Sequence, residues 1–573
     1  LAAFHVDVVS STGEILDEGM VRLRFVPSRA GRPHSVVLML ALQGCGTDPI
    51  PHPTLRVAFR RTPGFAGALW LGGVGAGRSL SMLGRFPYEE DAVRPVVVRT
   101  LEDETDYGQF LLIRYDDGMF GLIAGIPSAG GRGWVTLDEG MVCVGLSTLS
   151  RKWPVAAGET GAAGRGEMPI AAFGLGTDPV ELFSVVAVRA VDPLCARSLP
   201  AAAPLPESLA GLGYAASGRH LPTLSADEMR RAADRFSRSW LHFRTVLVEE
   251  GWQNMSGNRL LSPEPEPARF PHGLGSLKRN VARHRIPWLG VTHRLTFGPD
   301  GLHPSNPLLR RQHGASVRQA SGGVLPNPAG HAAAGLYSAF YRALRNDGVD
   351  FVQVSAMSDT QLYGERFAQP EVLSGLVRTQ SESACAAFGT ALYRGAQSLA
   401  VLAELCADAC VQVDGAGTDS LGDELEQAFT NALWVRELGR PFCRPFESGG
   451  RRAMARAAAR VLLAGPLFVD DHPEAMDAPL LLRFVDHDGR VFLPDRPAVP
   501  TVEWLTERMR GPGDVISVET TLAGFPLLGL FNTTDHPLGA PVRVPPVGEA
   551  GDVLAALTVS GVVLESRPGA EIA

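Results

Sequence analysis

What this chain lacks narrows its class first. Across 573 residues no window approaches the ~18–20 uninterrupted apolar residues of a membrane span, so no membrane partner is expected. A basic excess is missing too: 53 Lys and Arg stand against 61 Asp and Glu, for a net charge of −8. A nucleic-acid binder usually presents a basic face, and none is predicted here. Cysteine is scarce. The seven cysteines, an odd number with no C-x-x-C pair, read as buried thiols in a reducing, cytoplasmic setting. Cys406 and Cys410 are spaced one helical turn apart, but no nearby His completes a zinc site. There is no H-E-x-x-H, no P-loop and no strand-embedded G-x-G-x-x-G, so neither a metal nor a nucleotide cofactor is implied. Gly72-Gly73-Val74-Gly75-Ala76-Gly77 is glycine-rich, yet no helix pattern follows it, and it reads as a turn. The opening L-A-A-F-H-V-D has no charged n-region or apolar h-region, which predicts no secretory signal; a leading Leu predicts a natural start upstream.

What is present is an ordinary globular composition, 45% hydrophobic and 20% charged. The length predicts two or three domains, because single cores rarely exceed ~250–300 residues. Residues 1–205 alternate short apolar runs, such as Ser35 to Leu42, Phe110 to Arg114 and Val142 to Leu146, with turn residues. That spacing predicts a β-sandwich, followed by an Ala/Pro linker over Ser198 to Pro206. Over 206–485 strand-like runs alternate with helical patterns such as Ser225 to Trp240, Glu371 to Leu402 and Arg451 to Leu463. This alternation predicts a parallel sheet closed as a (β/α)8-type (TIM) barrel. Residues 486–573 return to alternation, with strands expected at Val515 to Thr520, Val553 to Thr558 and Gly561 to Glu565. They predict a small antiparallel C-terminal β-domain.

The most informative stretch is Arg244 to Asn254. The apolar run Val246-Leu247-Val248 stops at Glu249 and Glu250, followed by Gly251, Trp252 and Gln253. A buried parallel strand reads as such a run, and its carboxyl end is where a barrel keeps its chemistry. Two acids, an indole and an amide there suit a polyol: the acids accept from hydroxyls and the ring covers a pyranose face. An acidic, solvated turn is the plainer alternative. Further stations follow in order: Phe270-Pro271-His272-Gly273-Leu274, then Leu289-Gly290-Val291-Thr292-His293-Arg294-Leu295, then Gly348-Val349-Asp350-Phe351-Val352-Gln353-Val354-Ser355. Gly439 to Pro445 and Ala457 to Thr501 complete the series.

This order resembles the raffinose synthase, seed imbibition protein and alkaline α-galactosidase branch of glycoside hydrolase family 36. Its corresponding stations are I-D-D-G-W-Q, F-P-x-G-L, V-G-V-W-H-A-L, G-V-D-G-V-K-V-D and G-E-F-M-Q-P. The resemblance spans roughly residues 210–501. It implies a retaining carbohydrate enzyme with a pair of carboxyl groups flanking the scissile bond. The family's nucleophile closes K-V-D, and the matching residue here is Ser355, with Gln353 at the Lys position. A hydroxyl without an activating base replaces a carboxylate poorly at an oxocarbenium-like centre. Asp359, four residues on, is expected to lie several ångströms away. The family's acid/base motif R-A-S-D-D-F-W is best matched by Gly415 to Leu421, making Asp419 the candidate general acid; a solvated loop Asp is the alternative. Glu249, Glu250, Trp252, His293, Gln353 and Glu447 are the expected ligand contacts, His293 being the one that reads equally as a structural histidine.

The strand cores match the family while the catalytic and stacking positions have changed. The expectation is therefore a divergent relative that binds a carbohydrate or cyclitol-like ligand without ordinary retaining turnover. Two further readings stay open: an active hydrolase or transglycosidase using Asp419 as acid and Glu249 or Glu250 as base, and a non-catalytic protein-interaction subunit. Homo-oligomerisation is left open.

Overall fold

The computed structural model of the chain describes residues 204–534 apart from 313, 358, 360–361, 364–366, 368–371, 397, 416–419, 451 and 511–512. It also describes residues 108–127, 132–138, 141–147 and 167–191, and elsewhere the backbone of isolated strands. Between Phe4 and Gly176 twelve strands form one hydrogen-bonded antiparallel sheet. The expected strand Ser35–Leu42 pairs along its length with Glu167–Gly176, and Phe110 to Arg114 falls within Gly108–Tyr115. The glycine-rich stretch after Gly72 and most of the expected linker lie outside the described residues.

One element was not expected from the β-rich pattern: a helix, Pro179–Val191, that buries Leu182, Phe183 and Val186. Phe183 packs on Phe110 of the sheet (ring centroids 5.3 Å) and on Trp434 of the barrel (6.2 Å). Ser184 Oγ donates to Glu437 at 2.7 Å. This helix therefore joins the N-terminal sheet to the barrel through an aromatic cluster, a contact no local pattern encodes.

Eight strand–helix units follow. The strands are β1 (Gly213–Ala216), β2 (Thr245–Val248), β3 (Trp288–Arg294), β4 (Phe351–Ser355), β5 (Ala391–Tyr393), β6 (Cys410–Gln412), β7 (Arg440–Phe442) and β8 (Phe468–Val469). The helices that follow them are α1 (Ala226–Ser237), α2 (Gly273–Ala282), α3 (Ala334–Asn346), α4 (Arg378–Phe388), α5 (Leu399–Leu402), α6 (Leu421–Leu438), α7 (Ala453–Leu462) and α8 (Ala478–Leu481). All strand pairs are parallel, in the order β7-β6-β5-β4-β3-β2-β1-β8. An isolated parallel bridge between Phe446 and Val469 brings the two ends together, and the sheet curls into a barrel.

Sequence signals explain the boundaries. Ser225 caps α1, accepting from the Glu228 amide at 3.3 Å, and Ser420 caps α6 in the same way at 3.0 Å. The pattern Glu371 to Leu402, expected as one helix, is instead broken. A π-turn (Leu373–Val377) leads into α4, Gly389 ends it at φ +79°, and Ala391–Tyr393 becomes β5. A three-residue buried strand and a helix segment look alike in an apolar run, and the left-handed glycine is the discriminating mark. Cys410 likewise begins β6, so its spacing from Cys406 is not a helical one.

Inside the barrel, Ala215, Leu247, Phe351, Leu392, Cys410, Phe442 and Phe468 form their own cluster. Val246, Val248, Val291, Val352, Val354 and Val411 belong to the larger core beneath the helices. Large rings demand small partners: a Cβ on Gly213 would sit 2.3 Å from Phe468, and one on Gly290 2.2 Å from Phe351. After the barrel, Val499–Pro500, Val515–Leu522 and Phe525–Asn532 make an antiparallel sheet. Among the described residues no helix is long and apolar enough to cross a membrane.

Candidate active site at the barrel mouth

Side chains alternate faces along a strand, so each inward-facing core residue predicts its successor at the mouth two or four positions on. Following the inward faces to the carboxyl ends gives Ser217, Glu249, Arg294, Ser355, Arg394, Asp414, Arg444 and Asp470, one residue at or just past the end of each of the eight strands. All of these except Asp414 line a cavity of about 760 Å³. Glu250, Glu424, Glu447, Arg219, Arg456, Arg460 and Phe446 complete much of its wall. Among the described residues, the cavity is thus lined by paired charges and one aromatic ring, Phe446.

Glu249 is nearly enclosed and pairs across the mouth with Arg394 at 2.5 Å. Burial pushes its carboxyl above the usual range; Arg394 opposes this, while Glu250 and Asp470 add to it. Gln353, one layer deeper on β4, turns its amide oxygen to Arg394 and accepts from Nη2 at 3.1 Å. It is buried beneath the cavity rather than on its wall. Glu250 is half-exposed and accepts a short hydrogen bond from the Ser355 hydroxyl. Arg294 lies 3.8 Å from Glu250 and forms a tighter fork on Asp359, at 2.6 and 3.1 Å. Thr296 Oγ1 also donates to Asp359 at 2.6 Å. Asp359 is therefore buried in a pair of its own, away from the cavity wall. Glu447 stands at the rim, 2.8 Å from Arg219 and 3.3 Å from His220. Asp470 is raised in pKa by burial, against the pull of Arg219 and His220 and with a further push from Glu447. Its Oδ1 meets no donor among the described residues.

Two expected contacts go elsewhere. Gly251, at φ +113°, turns the chain so that Trp252 enters the core, fully buried, with Nε1 donating to the Thr292 carbonyl at 2.8 Å. The indole has no free face for a sugar. Gln253 follows it, donating to the Phe297 carbonyl at 3.1 Å. His293 is also fully buried, with Nδ1 2.8 Å from the Arg294 carbonyl and Nε2 3.2 Å from the Tyr341 hydroxyl. Burial lowers its pKa to about 4. It faces outward from β3, into the helix layer, as the alternation from Arg294 requires. Asp419, the expected general acid, lies outside the described residues.

Motif reading missed Arg294, Arg394, Asp414, Arg444 and Asp470. Their signal is parity: each continues the inward face of a strand. Reading it requires knowing which short apolar runs are strands, and β5, β6 and β8 are only two or three residues long.

No protein-family model and no curated protein sequence matches the chain. Solved structures do. The family 36 α-galactosidase AgaB from Geobacillus stearothermophilus is 11% identical, with 99% of this chain and 87% of that one covered at a TM-score of 0.57. AgaA from the same organism is 11% identical, covering 99% and 88% at 0.55. A variant of AgaA was solved in complex with stachyose (10% identity, 99% and 88% covered, TM-score 0.56). A β-arabinopyranosidase is 12% identical, covering 99% and 92% at 0.53. At such identities the likeness is one of architecture: this chain has a multidomain fold like that of the glycoside hydrolase family 36 α-galactosidases.

Proposed function

We infer that the barrel mouth binds a carbohydrate or cyclitol-like polyol on a glycoside hydrolase scaffold, without the retaining chemistry that the raffinose synthase and α-galactosidase resemblance implies. The observation that carries this reading is Ser355. It lines the cavity at the carboxyl end of β4, where the resemblance expects the attacking Asp, and its hydroxyl is held by Glu250. Asp359 does not fill the vacancy because Arg294 and Thr296 hold it elsewhere. Around Ser355 the carboxylates and guanidinium groups offer acceptors and donors for many hydroxyls, in a cavity the size of a small oligosaccharide site. The test is a melting-temperature panel with galactose, raffinose, stachyose and myo-inositol, alongside release of p-nitrophenol from its α-galactoside. Stabilisation by at least one sugar, with no turnover at an ordinary enzymatic rate, is expected. A full panel with no shift favours the protein-interaction reading instead.

One observation supports a second reading, a hydrolase or transglycosidase with reassigned carboxylates. Glu250 reaches the Ser355 hydroxyl, so a longer acid on β2 stands beside the shortened residue on β4. In that scheme Asp419 serves as general acid and Glu249 or Glu250 as base for water or an acceptor hydroxyl; inversion requires the carboxyls ~6.5–9.5 Å apart. Turnover that survives Ser355→Ala but is lost in Glu250→Gln would select this reading over the first.

A further inference from the structure

The wall built by β6, β7, α6 and α7 differs from the one that carries Glu249 and Glu250. Two acids are sunk into it: Asp414 is fully buried and Glu424 nearly so. Arg460, itself buried, lies between them, with Nη2 3.1 Å from Glu424 and 3.6 Å from Asp414. Its remaining nitrogens are used on backbone: Nε donates to the Arg444 carbonyl at 3.0 Å and Nη1 to the Arg456 carbonyl at 3.2 Å. Burial alone would raise Glu424, but Arg460 and Arg456 hold it below the usual carboxylate range. Every guanidinium nitrogen of Arg460 is thus engaged within this wall.

Two more guanidinium groups flank this core and, among the described residues, are engaged through Nε alone. Arg444 engages Asp414 Oδ2 through Nε at 3.2 Å, and Arg456 engages Glu424 Oε2 through Nε at 2.9 Å. Each keeps about a third of its side chain exposed (34% and 35%), and both line the cavity. No described residue accepts from the terminal Nη groups of either. Three cations against two anions leave one positive charge in excess on this wall. A guanidinium fixed by its Nε and open at its Nη groups is pre-organised for a planar or tetrahedral oxyanion.

We propose that Arg444 and Arg456 form a subsite for an anionic oxygen group, so that the ligand is an acidic sugar derivative rather than a neutral oligosaccharide. This rests on the carbohydrate reading above. The anionic group, a uronate carboxylate or a phosphate or sulfate ester, sits on the β6–β7 wall. The sugar hydroxyls point towards Glu249 and Glu250 on the far side, where an anion would be repelled. Polarity along the cavity thereby sets the ligand's direction.

Titration calorimetry on the full chain at low ionic strength, with galactose, galacturonate, galactose 6-phosphate and galactose 6-sulfate, tests the proposal and separates the three anion sources. At least one anionic sugar should bind tenfold or more tighter than galactose. That preference should shrink with added salt and fall towards unity in Arg456→Gln and, independently, in Arg444→Gln. If either variant fails to fold, the other and the wild-type preference decide. Equal affinity for galactose and all three anions overturns the subsite and leaves the carbohydrate reading intact. Failure of all four sugars to bind removes both.

Discussion

The hydroxyl of Ser355, at the end of β4, donates to the carboxylate of Glu250, just beyond the end of β2. The contact spans β3, whose Arg294 approaches the same carboxylate at 3.8 Å. A serine is tolerated here because it supplies a donor to an acid that leans across the mouth. Replacing it with Asp sets two carboxylates against each other, and one must hold a proton or the site must open. Ser355→Asp should therefore be less stable than wild type by roughly 1–2 kcal/mol at pH 8, and closer to it at pH 5. Melting curves across that range check the sign; a gap that narrows as pH rises would contradict the contact.

Glu249 is stabilised in its charged form by Arg394, and the same guanidinium satisfies Gln353. Arg394→Met strands an enclosed acid. The expected cost is about 3–5 kcal/mol by urea denaturation, typical of breaking one side of a buried pair. Glu249→Gln in the Arg394→Met background should recover most of it. Independent, additive losses would show that the two side chains do not act as a pair.

His293 is neutral and buried, with a pKa lowered to about 4 from 6.5 by desolvation. Its folded-state pKa lies below its unfolded one, so its contribution is complete above about pH 6.5 and is lost as pH falls towards 4. A shift of that size corresponds to about 3 kcal/mol, lost over this window. His293→Gln should flatten that part of the stability–pH curve, whatever it does at neutral pH.

Trp252 separates packing from recognition. Its indole is fully buried and bonded to the Thr292 carbonyl, so Trp252→Phe should cost about 1–3 kcal/mol through the unpaired carbonyl and lost volume. Affinity for any sugar found in the melting-temperature panel should not change. A large affinity loss without destabilisation would place the ring in the ligand site after all.

The barrel was legible because its mouth-proximal motifs carry strong local signals. Val246 to Val248 is a buried parallel strand flanked by acids, Phe351 to Ser355 reads directly as a strand, and Ser225 with Glu228 marks a helix start. Glu249 and Glu250, expected at the mouth because they end the Val246 to Val248 run, line the cavity. Trp252 and His293 look like ligand residues by type and position. The φ of Gly251 and the facing of β3 send them into the core, and neither fact is written in the residues themselves.

What the residues determined alone is the order of strand and helix units and the presence of a serine at position 355, because periodicity, caps and identity are local properties. Only the tertiary structure decided which side chains meet. Barrel closure sets Glu249 against Arg394 and Ser355 against Glu250, although as many as 145 positions separate the partners. Such pairings depend on strand parity and ring order, which exist only once the sheet has curled upon itself.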